Sequence, residues 1–289
     1  MTIRFVAVDI DGTLLNSRFE VSPANRAAIA EATQRGVEVA LVTGRRYDFA
    51  LPVAKEIDAP VTMIVNNGAL VRTNDGQTLL RHLLPRDTAR RVIQATEAWR
   101  EATAVVFDRP QVNQVMLQSI NWDDPTRGGY YKRNREFLAE ANPLESCLTE
   151  DPIQVMYTGQ VAAMREAEMT LRRVQFAEEF NLAATVYVER DFAMIDVIRR
   201  GVTKGTTLAE WTGRRSISPE EILAIGDNHN DLEMLCFAGV PVVMGNSVPE
   251  LKKRGWHITG SNDEDGVAAA IERFALMESQ PPRSDKRWG

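Results

Sequence analysis

Four short segments hold polar side chains that could act together: Asp9-Ile10-Asp11-Gly12-Thr13, Thr43-Gly44-Arg45, Asn66-Asn67-Gly68 and Gly226-Asp227-Asn228-His229-Asn230-Asp231. Each follows a short apolar run that reads as a buried strand. In "VAVDIDGT" the strand ends on two carboxylates one residue apart, which desolvation makes costly unless a cation sits there. Asp9, Asp11, Asp227 and Asp231 together would repel one another. An all-oxygen donor set of this kind suits Mg²⁺, which keeps several waters and takes one or two carboxylates plus phosphate oxygens. Thr43, the amide of Gly44 and Lys204, which opens a helix within "GVTKGTTLAEW", then offer donors for that phosphate. Each piece alone has an ordinary reading. Asp227 and Asn228 fit as caps of a helix over 229–236, and a lone lysine near a helix start is usually solvated. Their succession at strand ends is what argues for one site, because ligands of open α/β sheets bind beyond the carboxyl ends of the strands.

The elements that must position these residues follow from periodicity. A strand is expected over 3–9, a helix over 23–36 opened by Ser22-Pro23, a strand over 37–44, a helix after Arg46 and a strand over 61–68. Residues 69–82 read as a hairpin with Asn74-Asp75-Gly76 at its tip. Alternating strand and helix argues for a parallel sheet with crossover helices. From Pro85 the pattern changes to an α+β segment, and after Gly201 the alternation resumes with a helix over 203–212 and strands over 221–227 and 240–245. The expected organisation is a core of 1–85 and 200–278, an insert of 86–199, and a loose tail of 279–289.

Bulk properties narrow the function classes. The chain has 289 residues with 34 basic and 40 acidic side chains, a formal net charge of −6. The insert carries 14 basic and 18 acidic residues, leaving 20 and 22 elsewhere, so neither part has the basic excess of a nucleic-acid binder. No apolar run approaches bilayer-spanning length, and "MTIRFVAVDID" lacks a signal-peptide pattern, so no membrane partner and a cytoplasmic location are expected. Cys147 and Cys236 are isolated, which suggests neither zinc nor a disulfide framework. His229 reads as a surface residue, and His82 and His257 show no partner pattern.

The segments "DIDGT", "VTGR", Lys204 and "GDNHND" resemble the four motifs of the haloacid dehalogenase superfamily of phosphohydrolases. The size and position of the insert, with "NNGA", "GVTKG", "MGN" and "NDEDGVA", are similar to its Cof-type branch; Gly255-Trp256-His257 departs from that branch mildly. The resemblance implies an α/β fold, a Rossmann-like doubly wound parallel sheet with an inserted α+β cap that sets specificity. It implies a phosphoric monoester hydrolase using Mg²⁺ on small phosphorylated metabolites, sugar phosphates being the first expectation. Asp9 would be the nucleophile and Asp11 the general acid, then base. Mg²⁺ would be held by the Asp9 carboxylate, the Asp11 carbonyl and Asp227, with Asn228 and Asp231 supporting. Thr43, Gly44, Lys204 and Asn230 would bind phosphate. A carboxylate at position 11 favours transfer to water or to a sugar hydroxyl.

Two alternatives stay open at this level. A phosphohexomutase of the phosphomannomutase kind would need a second, cationic phosphate site, for which Arg127, Lys132, Arg133 and Arg135 are the available residues. A non-catalytic phosphate-sensing protein would not need the full set of nucleophile, acid, lysine and metal aspartate. In the insert, "NWDDPTRGGYY" is a candidate lid loop, with Trp122, Tyr130 and Tyr131 as candidate substrate contacts; these rings could equally pack the insert's own core.

Overall fold

The computed structural model describes residues 2–277; the expected tail at 279–289 lies outside the described residues. The chain forms two compact units, one of residues up to 65, 72–77 and 204 onward, the other of 66–71 and 78–203.

The first unit opens with β1 (Phe5–Val8), α1 (Pro23–Gln34), β2 (Glu38–Val42), α2 (Tyr47–Ile57) and β3 (Thr62–Val65). β1 is buried at every position, as expected of a parallel strand covered on both faces. Helix α1 starts where expected because Ser22 accepts a hydrogen bond from the Asn25 N–H at 3.1 Å and Pro23 has no N–H to satisfy.

The second unit follows. β4 (Leu70–Thr73) and β5 (Thr78–Arg81) make the hairpin, whose tip residues belong with the first unit; Gly76 there has φ 90°, which permits the tight turn. Then come α3 (Arg86–Ala95), β6 (Thr103–Val106), β7 (Val115–Leu117), α4 (Gly128–Arg133), β8 (Leu138–Glu140), β9 (Gln154–Gly159), α5 (Val161–Arg173), β10 (Phe180–Tyr187) and β11 (Phe192–Arg199). They form a six-stranded sheet in the order β10-β11-β9-β6-β7-β8, antiparallel except between β7 and β8. One face packs on α3 and α5: Ala193, Ile195 and Val197 of β11 meet Met164, Ala167 and Leu171, which recur at helical spacing along α5.

The chain returns to the first unit with α6 (Lys204–Arg214), β12 (Ile222–Gly226), α7 (Leu232–Phe237), β13 (Val240–Val243), α8 (Pro249–Lys252), β14 (His257–Ile258) and α9 (Gly266–Ile271). Its parallel strands lie in the order β14-β13-β12-β1-β2-β3. From β1 the chain builds outward on one side, then resumes at β12 on the other. The order therefore reverses between β1 and β12, and such a switch point opens the crevice where ligands of this sheet type bind.

The second unit is larger than the 86–199 insert read from the sequence. Asn66 and Asn67 bond through their side chains to Gln154 and Asp196, and Leu84 lies in the second unit's apolar cluster, with its N–H on the Pro152 carbonyl. Side-chain partners, which periodicity does not report, assign these residues.

Candidate active site

β1 and β12 pair in register, Val8 opposite Ile225, and the Asp9 N–H donates to the Ile225 carbonyl at 3.0 Å. Both chains leave the sheet at the same end, so residues 218 positions apart in sequence meet there. Carboxylate oxygens of Asp9, Asp227 and Asp231 lie within 4.8 Å of one another, and all three side chains are buried. Lys204, 1% exposed, reaches them from the first residue of α6: its Nζ donates to Asp9 Oδ1 at 2.5 Å and to Asp231 Oδ1 at 2.7 Å. Asp231 Oδ2 accepts from the N–H groups of Asp227 and Asn228 at 3.0 and 3.1 Å. Thr13 donates from its hydroxyl to Asp227 Oδ1 at 3.0 Å. Gly12 has φ 79°, and a Cβ there would stand 2.5 Å from Asp227 Oδ2, so the turn after β1 closes on Asp227 only because the residue is glycine.

The electrostatics follow from this crowding. Burial, then the charges of Asp231, Asp227 and Asp11, push the Asp9 acid well above the ordinary range, against the pull of Lys204. Burial and Asp231 push Asp227 to about 7, opposed by its Thr13 bond. Burial works against the Lys204 charge, but Asp231 and Asp9 outweigh it and hold the ammonium above an ordinary lysine. Three buried carboxylates face one ammonium. The cluster is short of positive charge, and its remaining donors are all oxygen, which fits a hard divalent cation. Asp9 and Asp227 are the better placed to hold it, since both Asp231 oxygens already accept from protein donors.

Asp11 stands apart from this cluster in its contacts. Arg45 donates to its two oxygens from Nε at 2.8 Å and Nη2 at 2.6 Å, a bidentate pair that fixes the carboxylate. The Arg45 N–H in turn donates to the Thr43 hydroxyl oxygen at 3.1 Å, and the Thr43 N–H donates to the Ile64 carbonyl at 2.8 Å. The Thr43 side chain is buried at the end of β2 and keeps its own hydroxyl hydrogen to donate. A further brace comes from Asn246, whose Nδ2 donates to the Gly12 carbonyl at 2.7 Å while its Oδ1 accepts from the Asn262 N–H at 3.0 Å. Arg45, Thr13 and Asn246 stand within motifs that assign them no role; their contacts become visible only once β1, β2, Asn246 and Asn262 are side by side.

The haloacid dehalogenase-like hydrolase model matches residues 6–271. The chain belongs to that family. Among relatives of this hydrolase, the 5-amino-6-(5-phospho-D-ribitylamino)uracil phosphatase YcsE of Bacillus subtilis is 30% identical, covering 95% of this chain and 96% of its own. The HMP-PP phosphatase of Serratia proteamaculans is 29% identical over 94% of this chain and 95% of its own. A solved haloacid dehalogenase-like hydrolase from Bacteroides thetaiotaomicron superposes with a TM-score of 0.78 at 25% identity, over 94% of this chain and 99% of that one.

The remaining candidates of this hydrolase divide by unit. Asn228 caps the turn His229–Asp231, its Oδ1 accepting from the His229 N–H at 2.8 Å, while His229 is exposed. Gly44 and Asn230 are half-buried in the first unit. Trp122, Tyr130 and Tyr131 belong to the second. Tyr131 is only 2% exposed, and the nearby charged groups that act on it are Arg127, Asp124 and Glu101 of its own unit. Trp122 and Tyr130 are half-buried, Trp122 beneath the Arg135 guanidinium at 5.3 Å.

Proposed function

We propose that this chain is a magnesium-dependent phosphatase that hydrolyses small phosphorylated metabolites, sugar phosphates foremost, through a phosphoenzyme on Asp9. The observation that carries the reading is the buried meeting of Asp9, Asp227, Asp231 and Lys204 at the switch point between β1 and β12. Asp9 would attack phosphorus, forming the acyl phosphate while the alcohol leaves with a proton from Asp11. Asp11, now ionised, would take a proton from water as that water attacks phosphorus, releasing phosphate and restoring Asp9. Arg45 would hold the Asp11 carboxyl for both proton transfers. Lys204, the Thr43 hydroxyl, the Gly44 amide and Asn230 would bind the phosphoryl oxygens. Asp9, Asp227 and the Asp11 carbonyl would hold Mg²⁺, which supplies charge neutralisation for the approach of two anions. The names of the two relatives above, phosphatases of a phosphorylated ribityl compound and of HMP-PP, support a small phosphorylated metabolite as substrate. Selection among leaving groups would fall to the second unit, with Trp122, Tyr130 and Tyr131 as candidate contacts.

The mutase alternative gains no support. Arg127 is paired with Asp124 at 2.7 Å, Arg135 lies over Trp122, and Lys132 stands 3.6 Å from Asp123, so three of the four candidate cations have protein partners. The test is hydrolysis of p-nitrophenyl phosphate by wild type and Asp9→Asn, with EDTA and after Mg²⁺ is restored. Wild-type turnover should vanish with EDTA and return with Mg²⁺, while Asp9→Asn should keep under about 1% of it, since a neutral amide cannot attack phosphorus. Comparable turnover by the variant would eliminate Asp9 as nucleophile.

A further inference from the structure

A second buried carboxylate takes no part in this chemistry. Asp196 of β11 is 3% exposed. Its Oδ1 accepts from Gln154 Nε2 at 2.7 Å and its Oδ2 from Asn67 Nδ2 at 2.9 Å, while Gln154 Oε1 accepts from Asn66 Nδ2 at 3.1 Å. Asn66 and Asn67 are the first residues after β3, both with left-handed backbone (φ 52° and 54°), and both nearly inaccessible. Their Oδ1 atoms are buried without a hydrogen-bond partner. An amide held in this way, with one end on a carboxylate and the other on nothing, has a second state available.

The surroundings of Asp196 in its own unit are neutral. Across β9 it faces Met156, with Gln154 and Thr158 on either side; across β10 it faces Ala183, with Asn181 and Thr185 on either side. Tyr187, four positions along β10 from Ala183, is the next ionisable group on that side of the sheet. Tyr157 of β9 points to the opposite face and bonds Thr96 at 2.6 Å. The charged side chains of α5 lie beyond that same opposite face, where Ile195 and Val197 pack. Residues 66–71 contain no ionisable group. Burial raises the Asp196 acid to about 7, with the Asn67 bond pulling the other way.

We propose that Asp196 is a positioning residue whose proton sets how Asn67 is held at the end of β3. Ionised, the carboxylate accepts from both Gln154 and Asn67. Protonated on Oδ2, it donates to Asn67 Oδ1 after a half-turn of that amide, and keeps the Gln154 bond on Oδ1. The half-turn exchanges the unpartnered acceptor of Asn67 for an unpartnered donor. The strand-end segment Asn66-Asn67-Gly68 thus changes its hydrogen-bonding character with pH, through a group well separated in sequence from the proposed metal ligands.

The test compares wild type with Asp196→Asn in the full chain. The folded state holds the Asp196 proton more tightly than the unfolded chain does, so this group's contribution to the fold is complete below the ordinary value of 3.8 and falls away steadily until pH reaches about 7. Melting temperatures of the two proteins should therefore draw apart by several degrees between about pH 5 and pH 7 and keep a constant difference above that, the variant being the more stable. The kcat/KM profile for p-nitrophenyl phosphate with saturating Mg²⁺ should show a transition near neutrality that the variant lacks. Parallel melting curves would overturn the titration of Asp196, and diverging melting curves with superimposed kcat/KM profiles would overturn its positioning role. If Asp196→Asn fails to fold, Gln154→Met serves: losing one donor to the ionised form should move both transitions to higher pH, and unmoved transitions refute the proposal. The melting comparison needs no turnover, so an inactive wild type would count against the phosphatase reading without touching this one.

Discussion

Replacing Lys204 by Met tests the electrostatic logic of the site most directly. The substitution keeps a long unbranched side chain, so it removes charge without opening a large cavity. It leaves Asp9 and Asp231 without the ammonium that stands 2.5 and 2.7 Å from them. Breaking a buried ion pair from one side costs about 3–5 kcal/mol, and a value of about 4 is expected at pH 8 without metal. The pH dependence can be signed. The Lys204 acid is raised in the fold, so its contribution is complete below its unfolded value of about 10.4 and is lost only as pH rises through the folded one. Lys204 itself is therefore silent between about pH 5 and 9. Asp9 and Asp227 are not, because both are already raised and rise further without the lysine. Protonating one of them relieves the loss by about 1.4 kcal/mol per pH unit, but only between that group's value in the variant and its value in wild type, so the penalty should be smaller at pH 5.5 than at pH 8. Hydrogen exchange at the amides of β1 and β12 reads this for the first unit alone, which matters because a two-unit chain need not unfold in one step. With Mg²⁺ present, turnover should fall by at least about 100-fold. A penalty below about 1 kcal/mol at pH 8, or one that does not change with pH, would refute the argument that Lys204 neutralises this cluster.

Two further substitutions probe the parts around it. Gly12→Ala forces a Cβ to within 2.5 Å of Asp227 Oδ2 at φ 79°; it should cost about 1–2 kcal/mol and weaken Mg²⁺ binding about tenfold or more by titration calorimetry, whereas unchanged affinity would mean that Asp227 is not a ligand. Arg45→Lys removes the two-point hold on Asp11 and should lower kcat for p-nitrophenyl phosphate by up to about 100-fold with little change in KM; an unaltered kcat would show that Asp11 needs no such hold.

The alternating core was legible because parallel strands covered on both faces leave unmistakable apolar runs, and because Ser22-Pro23 and Gly76 punctuate them with unambiguous backbone chemistry. The polar segments at strand ends could be picked out for the same reason: a carboxylate pair directly after "FVAV" has no apolar explanation. What stayed hidden depends on neighbours distant in sequence. Arg45 sits in a motif shared with Thr43, yet its partner Asp11 lies in the turn after another strand, β1. Tyr131 in "RGGYY" could face a substrate or pack within the insert, and its low exposure depends on neighbours that the pattern does not report. Asp196 was invisible for a subtler reason. In "FAMIDVIR" the alternation of β11 assigns Asp196 to the face away from the helices, where a polar residue reads as solvated, and nothing in the pattern shows that Asn67 and Gln154 close over it.

The order of elements explains how so dense a charge cluster can coexist with a large insertion. The carboxylates come from the ends of β1 and β12, adjacent parallel strands whose register does not involve the intervening unit. Everything between β3 and α6 can therefore vary in size and sequence while Asp9 and Asp227 keep their separation. The chain nevertheless crosses between units at four points, after Val65, Val71 and Gln77 and before Lys204. The first of these is beside Asn66 and the last is at Lys204 itself. The division of labour is thus incomplete by construction: the register of β1 and β12 protects the carboxylates, while the lysine that balances them begins the helix on which the insertion ends.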